Sequence, residues 1–240
     1  MNAKTRLPVI RGLARNTILE HPYAPILVVL VYFSVTGLLY VSAALFSLGE
    51  GLGPFILYQI ITLLMQAMVC VFDIGRKKYF VDLGEKDQVP VLTLFAAFRG
   101  NVRTVLGAAF FLTGIRFLFT LPAVILSFLN PISPENIKES AVILGLMALG
   151  NLFGYLATVP FFPVLYLIGD FKSMPLGKAL RMSLWLMKGN FFRYIGFCIS
   201  LIPLSILGYL SLGFGFLWIT PLIQSSYAHF YLDLLKQKKK

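Results

Sequence analysis

A chain of 240 residues that is 58% hydrophobic and only 13% charged, with a mean hydropathy of +0.82, lies outside the range of soluble domains and belongs in a bilayer. Two cysteines and two histidines leave no disulfide framework and no zinc-type ligand set at a recognised spacing, so no cofactor is expected. The net charge of +11 would ordinarily raise nucleic acid as a partner, but membrane topology accounts for it once the basic residues are placed, and no nucleic-acid partner is expected.

The N-terminus carries Lys4, Arg6, Arg11 and Arg15 ahead of an apolar run from Ala24 to Phe46. That run is too long for a signal-peptide core and reads as an uncleaved anchor. Six segments are apolar enough, at about 20 helical residues each, to cross about 30 Å of hydrocarbon; they fall at about 24–46, 52–74, 105–129, 141–169, 191–212 and 214–235. Short connections at Ser47–Gly51, Asn130–Ser140 and around Gly213 pair them into three hairpins. The longer connections, Gly75–Thr104 and Asp170–Asn190, are basic and amphipathic. Nineteen of the 21 lysines and arginines fall on the side of the termini and these linkers; Lys138 falls on the other, and Arg116 within a span. The positive-inside rule then places both termini in the cytoplasm, with membrane lipid headgroups as partners of the linkers.

Two echoes point to an internal repeat. Arg99-Gly100-Asn101, closely followed by Arg103, is matched by Lys188-Gly189-Asn190, closely followed by Arg193. Likewise Tyr79-Phe80-Val81-Asp82-Leu83 is matched by Phe230-Tyr231-Leu232-Asp233-Leu234. Convergent interfacial chemistry is the competing explanation. The expected fold is all-α: a polytopic membrane protein of six transmembrane helices in three tandem hairpins with cytoplasmic amphipathic linkers, one domain over 1–240 with units at approximately 1–74, 75–169 and 170–240.

The linker from Asp170 to Arg193 reads as an interfacial helix. Ser173 is placed to cap it, with Pro175 in the first turn. Leu176, Leu180, Leu184 and Met187 share one face, while Lys178, Arg181, Trp185 and Lys188 share another, and Gly189-Asn190 ends it. The run Tyr166 to Leu234 contains Asp170, Ala179, Ser183, the string Leu186 to Asn190, Leu212-Gly213-Phe214-Gly215, Trp218, Pro221 and the Phe230–Leu234 string. With Gly75–Leu83 and Leu94–Asn101, it resembles a family of uncharacterised bacterial six-helix integral membrane proteins. It is also distantly similar to the membrane domain attached to some glycerophosphodiester phosphodiesterases. The resemblance implies a bacterial cytoplasmic membrane location and leaves the function open.

No hydrolase, metalloprotease or nucleotide-binding motif appears, and an enzyme is not expected. Cys70 and Cys198 read as small packing residues, with redox or lipidation roles as alternatives. Gly150 with Gly154, and Gly196 with Ser200, sit one helical turn apart and predict close helix approach. Pro122, Pro160, Pro163, Pro203 and Pro221 predict bends where neighbours can satisfy freed carbonyls. His229 near the end of the last segment reads as an ordinary hydrogen-bonding group, against a proton relay.

The polar residues inside the spans carry the sharper signal. Gln59, Gln66 and Asp73 recur every seven residues on one helix face with Thr62 beside them, and Asn151 and Gln224 fall at mid-depth. Arg116 lies about 11 residues, or about 16 Å, into its span, too deep for easy snorkelling. It is therefore expected to face the interior and hydrogen-bond to another helix. These six residues either fix helix packing or line a solute path. The function expected first is a non-enzymatic scaffold or accessory subunit, alone, as a homo-oligomer or with a protein partner. The alternative is a small permease or efflux protein for a hydrophobic or amphiphilic solute.

Overall fold

The structure, a computed structural model, describes residues 4–44, 51–86, 88–130, 137–171 and 173–238. Nine α-helices and two 3₁₀ helices account for the regular structure among them: α1 (Leu7–Glu20), α2 (Tyr23–Ala44), α3 (Leu52–Glu85), a 3₁₀ helix (Val91–Arg99), α4 (Val102–Leu129), α5 (Ile137–Thr158), a short 3₁₀ turn (Val159–Phe161), α6 (Val164–Asp170), α7 (Leu176–Met187), α8 (Phe191–Leu210) and α9 (Phe216–Lys238). Most of the connections expected at Ser47–Gly51 and Asn130–Ser140 lie outside the described residues, as do Lys172, Lys239 and Lys240.

Among the described residues five segments are long and apolar enough to cross a membrane: Tyr23–Ser42, Leu52–Glu85, Val102–Leu129, Ile137–Phe161 and Phe191–Leu210. The sixth expected span, α9, has the length but not the apolarity, because Thr220, Gln224, Ser225, Ser226, His229 and Asp233 fall within it. Its position explains this. Helix α9 packs on α1, α2, α3, α7 and α8, and Thr220, Ser225, Ser226 and Asp233 are buried among them. A helix covered by protein need not present an apolar surface to lipid.

Helix α3 is the hub. It contacts α1, α2, α4, α6, α9 and the longer 3₁₀ helix. At 34 residues it is about 51 Å long, some 20 Å more than a hydrocarbon core. The helix therefore does not stop with the expected span at 74 but continues through the residues read as a linker. Tyr79, Phe80, Val81 and Leu83 are buried there, and Lys78 and Lys86 both donate to Asp82, at 2.9 and 3.0 Å, along the helix surface. Gly75 lets the 3₁₀ helix lie directly on α3, for a Cβ at that position would collide with the Leu94 carbonyl. Phe72 meets Phe95 and Phe98 edge-on at 5.9 and 5.3 Å in the same contact.

The expected span 141–169 is likewise two pieces. Pro160 and Pro163 convert the chain after Thr158 to a 3₁₀ turn, and α6 leaves along a new path with Val164 to Ile168 all buried. Ser183 Oγ donates to the Pro160 carbonyl at 2.9 Å, replacing part of what the broken helix loses. That contact also sets the rotation of α7. Its buried stripe is Ala179, Ser183, Leu186 and Met187, while Leu184, expected on one apolar face with Met187, is 47% exposed. The small side chains at 179 and 183 permit the closest approach, so the helix turns about one residue from the face chosen by leucine count. Pro175 occupies the N-cap, and no side chain caps the helix there, so Ser173 does not take that role.

An unforeseen element is α1. Ile10 and Ala14 are wholly buried, and the helix lies along α9. Pro8 in its first turn and apolar residues at 7, 10, 14 and 18 were the available signals.

The packed core gathers at the end of the molecule where α1, α6, α7 and the C-terminal halves of α3 and α9 meet. Tyr166 stacks on Tyr231 with ring centroids 4.9 Å apart, and Phe197 stacks on Phe230 at 4.9 Å. The two sequence echoes at 79–83 and 230–234 are both buried here, in the helices α3 and α9 that touch each other. The other pair of echoes differs. Asn101 and Asn190 each immediately precede a helix, but Asn101 is exposed and Asn190 is buried.

Candidate functional site

A cavity of about 1260 Å³ opens between α3, α4 and α5, with Tyr32 and Tyr40 of α2 on one side. Its lining follows α3 from Pro54 to Arg76, a length of about 33 Å at the helical rise, comparable to the hydrocarbon thickness. The α4–α5 wall is closely packed for a local reason. Gly150 and Gly154 bring α5 against the backbone of α4, where a Cβ would stand 2.6 Å from the Phe119 carbonyl oxygen and 3.2 Å from the Arg116 Cα. Gly196, by contrast, has nothing within 4 Å of a Cβ, so the Gly196–Ser200 pair marks no close approach.

Gln59, Gln66 and Asp73 all line this cavity, as their seven-residue spacing on one helix face allows, and Thr62 joins them. Arg116 lines it from α4 with Thr113, Thr120 and Ser127, and Asn151 from α5. Gln224 lies elsewhere, on a smaller chamber of about 180 Å³. The two chambers share Asp73, Arg76, Leu112, Arg116 and Leu165.

These polar groups do not tie helices together. Asn151 donates to the Met147 carbonyl of its own helix at 2.8 Å. Gln59, Gln66, Gln224 and the Arg116 guanidinium have no side-chain hydrogen bond among the described residues, and Arg116 is exposed on the cavity side of α4. The expected interhelical bond of Arg116 is therefore absent among those residues. The mid-depth polar residues present unengaged donors and acceptors to an open space.

Asp73 is held differently. Arg76 and Lys77 both reach its carboxylate, one helical turn on. The Arg76 guanidinium lies 4.0 Å from the centroid of the Tyr32 ring, and the Lys77 ammonium 5.5 Å from that of Tyr166. Arg76 Nε and Thr62 Oγ1 are buried without a partner. The smaller chamber adds a phenol cluster. Tyr155 Oη lies 3.4 Å from Tyr194 Oη, and Tyr227 Oη donates to Cys198 Sγ at 3.6 Å. Among the described residues no three His, Cys, Asp or Glu side chains gather in a metal-binding arrangement.

Arg76, Lys77, Tyr32 and the phenols were missed as site residues. In the sequence the basic pair reads as topogenic charge, though its spacing three and four residues after Asp73 is a readable signal. The tyrosines come from five separate helices or loops, and nothing local marks them as neighbours.

The interfacial candidates separate into two groups. Asp170 is bound into the core, accepting from Lys78 Nζ at 2.9 Å and from Tyr231 Oη at 3.4 Å. Ser183 and Asn190 are buried, and Asn190 Nδ2 reaches Gln237 Oε1 at 3.3 Å. Gly189 turns the chain with φ +80°, and its carbonyl accepts from Lys4 Nζ at 2.7 Å. Lys178, Arg181, Trp185 and Lys188 remain on the surface, with Lys238 Nζ 4.9 Å from the Trp185 ring centroid.

Long apolar helices around a polar chamber define a helical membrane protein. The chain belongs to the family described as Protein of unknown function (DUF975), whose model matches residues 9–238. No curated protein and no solved structure matches it, and the likeness to the membrane domain of glycerophosphodiester phosphodiesterases is not shown.

Proposed function

We propose that this protein is a non-enzymatic membrane protein that takes the polar end of an amphiphilic solute into the cavity between α3, α4 and α5, as a small permease or efflux protein does. The observation that carries this reading is the lining: Gln59, Gln66, Asp73, Arg116 and Asn151 converge on one space of about 1260 Å³. Polar side chains at membrane depth that served only packing would be spent on one another, because an unsatisfied group in hydrocarbon is costly. Here most of them face the opening unengaged. The test is movement or capture of a fluorescent amphiphile by protein reconstituted in liposomes, compared with Met147→Trp, which fills the cavity from α5. Signal above empty liposomes that the tryptophan abolishes supports the reading, and no signal above empty liposomes rejects it.

A scaffold or accessory role is the second reading, supported by the exposed Lys178, Arg181, Trp185 and Lys188 of the α7 surface, a composition that suits anionic headgroups. Co-purification of a stoichiometric partner that is lost on replacing the three basic residues by Gln would favour it.

A further inference from the structure

We propose that the solute is an anionic amphiphile, with its phosphate or carboxylate head at the floor of the cavity beside Arg116 and Arg76 and its hydrocarbon tail along Leu63, Leu112 and Phe117. This rests on the reading of the cavity as an amphiphile site and adds the sign of the ligand's charge.

Charge at the floor is unbalanced. Arg76, Lys77 and Arg116 are among the residues that line the two neighbouring chambers, and Asp73 is the one acidic residue among their described lining residues. That carboxylate is already shared by Arg76 and Lys77, which leaves Arg116 without a counter-charge. An arginine near the middle of a span is retained where something compensates it. No backbone carbonyl among the described residues accepts from its guanidinium, the Leu118 carbonyl that Pro122 frees in α4 included. Water in an open chamber compensates it in part. An anion entering the chamber compensates it fully, and more strongly than in bulk water because the walls are of low dielectric.

Unused donors point the same way. The Arg116 guanidinium is exposed on the cavity side and has no hydrogen-bond partner among the described residues, and guanidinium groups bind carboxylate and phosphate oxygens in pairs. The wall also carries an apolar strip that includes Leu63, Val69, Leu112, Phe117 and Val124, and about 1260 Å³ exceeds the range of about 300–1,000 Å³ usual for small-molecule pockets. A small inorganic ion would leave most of that space unfilled, whereas a head attached to a chain would occupy it. A cation would meet excess positive charge, and a neutral solute would leave Arg116 uncompensated.

Thermal-shift titration of the full-length protein in a neutral detergent tests this on the wild type. The probes are phosphatidylglycerol, phosphatidylcholine with the same acyl chains, a long-chain fatty acid, and inorganic phosphate alone. The expected result is saturable stabilisation by phosphatidylglycerol, the fatty acid, or both, at concentrations where phosphatidylcholine and phosphate give none. Response to phosphatidylglycerol alone assigns a membrane phospholipid as the source, and response to the fatty acid alone a free acid. Arg116→Gln should weaken the anionic response by at least about tenfold, the lower end for a hydrogen bond to a charged group. Equal response to phosphatidylcholine overturns the anionic assignment while leaving the cavity reading intact. Equal response to phosphate alone overturns the amphiphile. No response to any lipid, together with no effect of Met147→Trp on the liposome signal, overturns both readings.

Discussion

Arg193 Nη2 and Asp233 Oδ2 lie 2.7 Å apart, with 13% and 8% of their side chains exposed. The pair locks three segments. Arg193 also donates to the Thr5 carbonyl at 2.6 Å, Thr5 Oγ1 donates to Asp233 Oδ1, and Gln237 Nε2 donates to Oδ2, the oxygen that Arg193 meets, at 2.6 Å. The N-terminus, the start of α8 and the end of α9 are thereby held together at one end of the molecule. Removing one member of a buried pair leaves the other charge uncompensated, at a cost of about 3–5 kcal/mol. Asp233→Asn should therefore lower stability by roughly that amount in a detergent unfolding titration, and Arg193→Leu with Asp233→Leu should recover part of the loss. An unchanged midpoint for Asp233→Asn would mean that water reaches the pair.

Gly75 is the contact point of α3 with the 3₁₀ helix. Gly75→Ala should cost about 1–3 kcal/mol, as overpacking against an immovable backbone does. Gly114→Ala on α4 is the matched control, for nothing lies within 4 Å of a Cβ there, and relief of helix-interior glycine should raise stability by up to about 1 kcal/mol. If the two variants melt alike, the close approach at Gly75 is not what seats the 3₁₀ helix.

Arg116 separates packing from binding. Its guanidinium bonds to none of the described residues, so Arg116→Leu should leave the ligand-free protein within about 0.5 kcal/mol of wild type in neutral detergent. A large loss of stability would assign Arg116 a structural partner.

The distribution of basic residues predicts the orientation. In a background in which Cys70 and Cys198 are replaced, an impermeant maleimide should label Lys138→Cys in intact cells and Lys188→Cys only after the membrane is permeabilised. Labelling of the 188 position from outside, with none at 138, would invert the topology.

Composition alone committed this chain to helices in a bilayer, because only a structure that satisfies its own backbone hydrogen bonds survives in hydrocarbon. The sequence also determined which residues share the cavity face of α3, since a seven-residue spacing returns to the same side of a helix whatever surrounds it. Where helices stop was decided by tertiary contacts. Residues 75–85 remain helical because Tyr79, Phe80 and Leu83 find a core to enter, and burial outweighs the polarity of Arg76, Lys77 and Lys78, which resembled a linker. The rotation of α7 was decided the same way, since Ala179 and Ser183 mark a close approach only when the turn at Pro160 is there to approach. Tertiary structure alone brought Arg116 of α4 and Arg76 of α3 to one chamber floor. Two cations forty residues apart carry no mutual signal in a sequence, and their shared field exists only once the helices have packed.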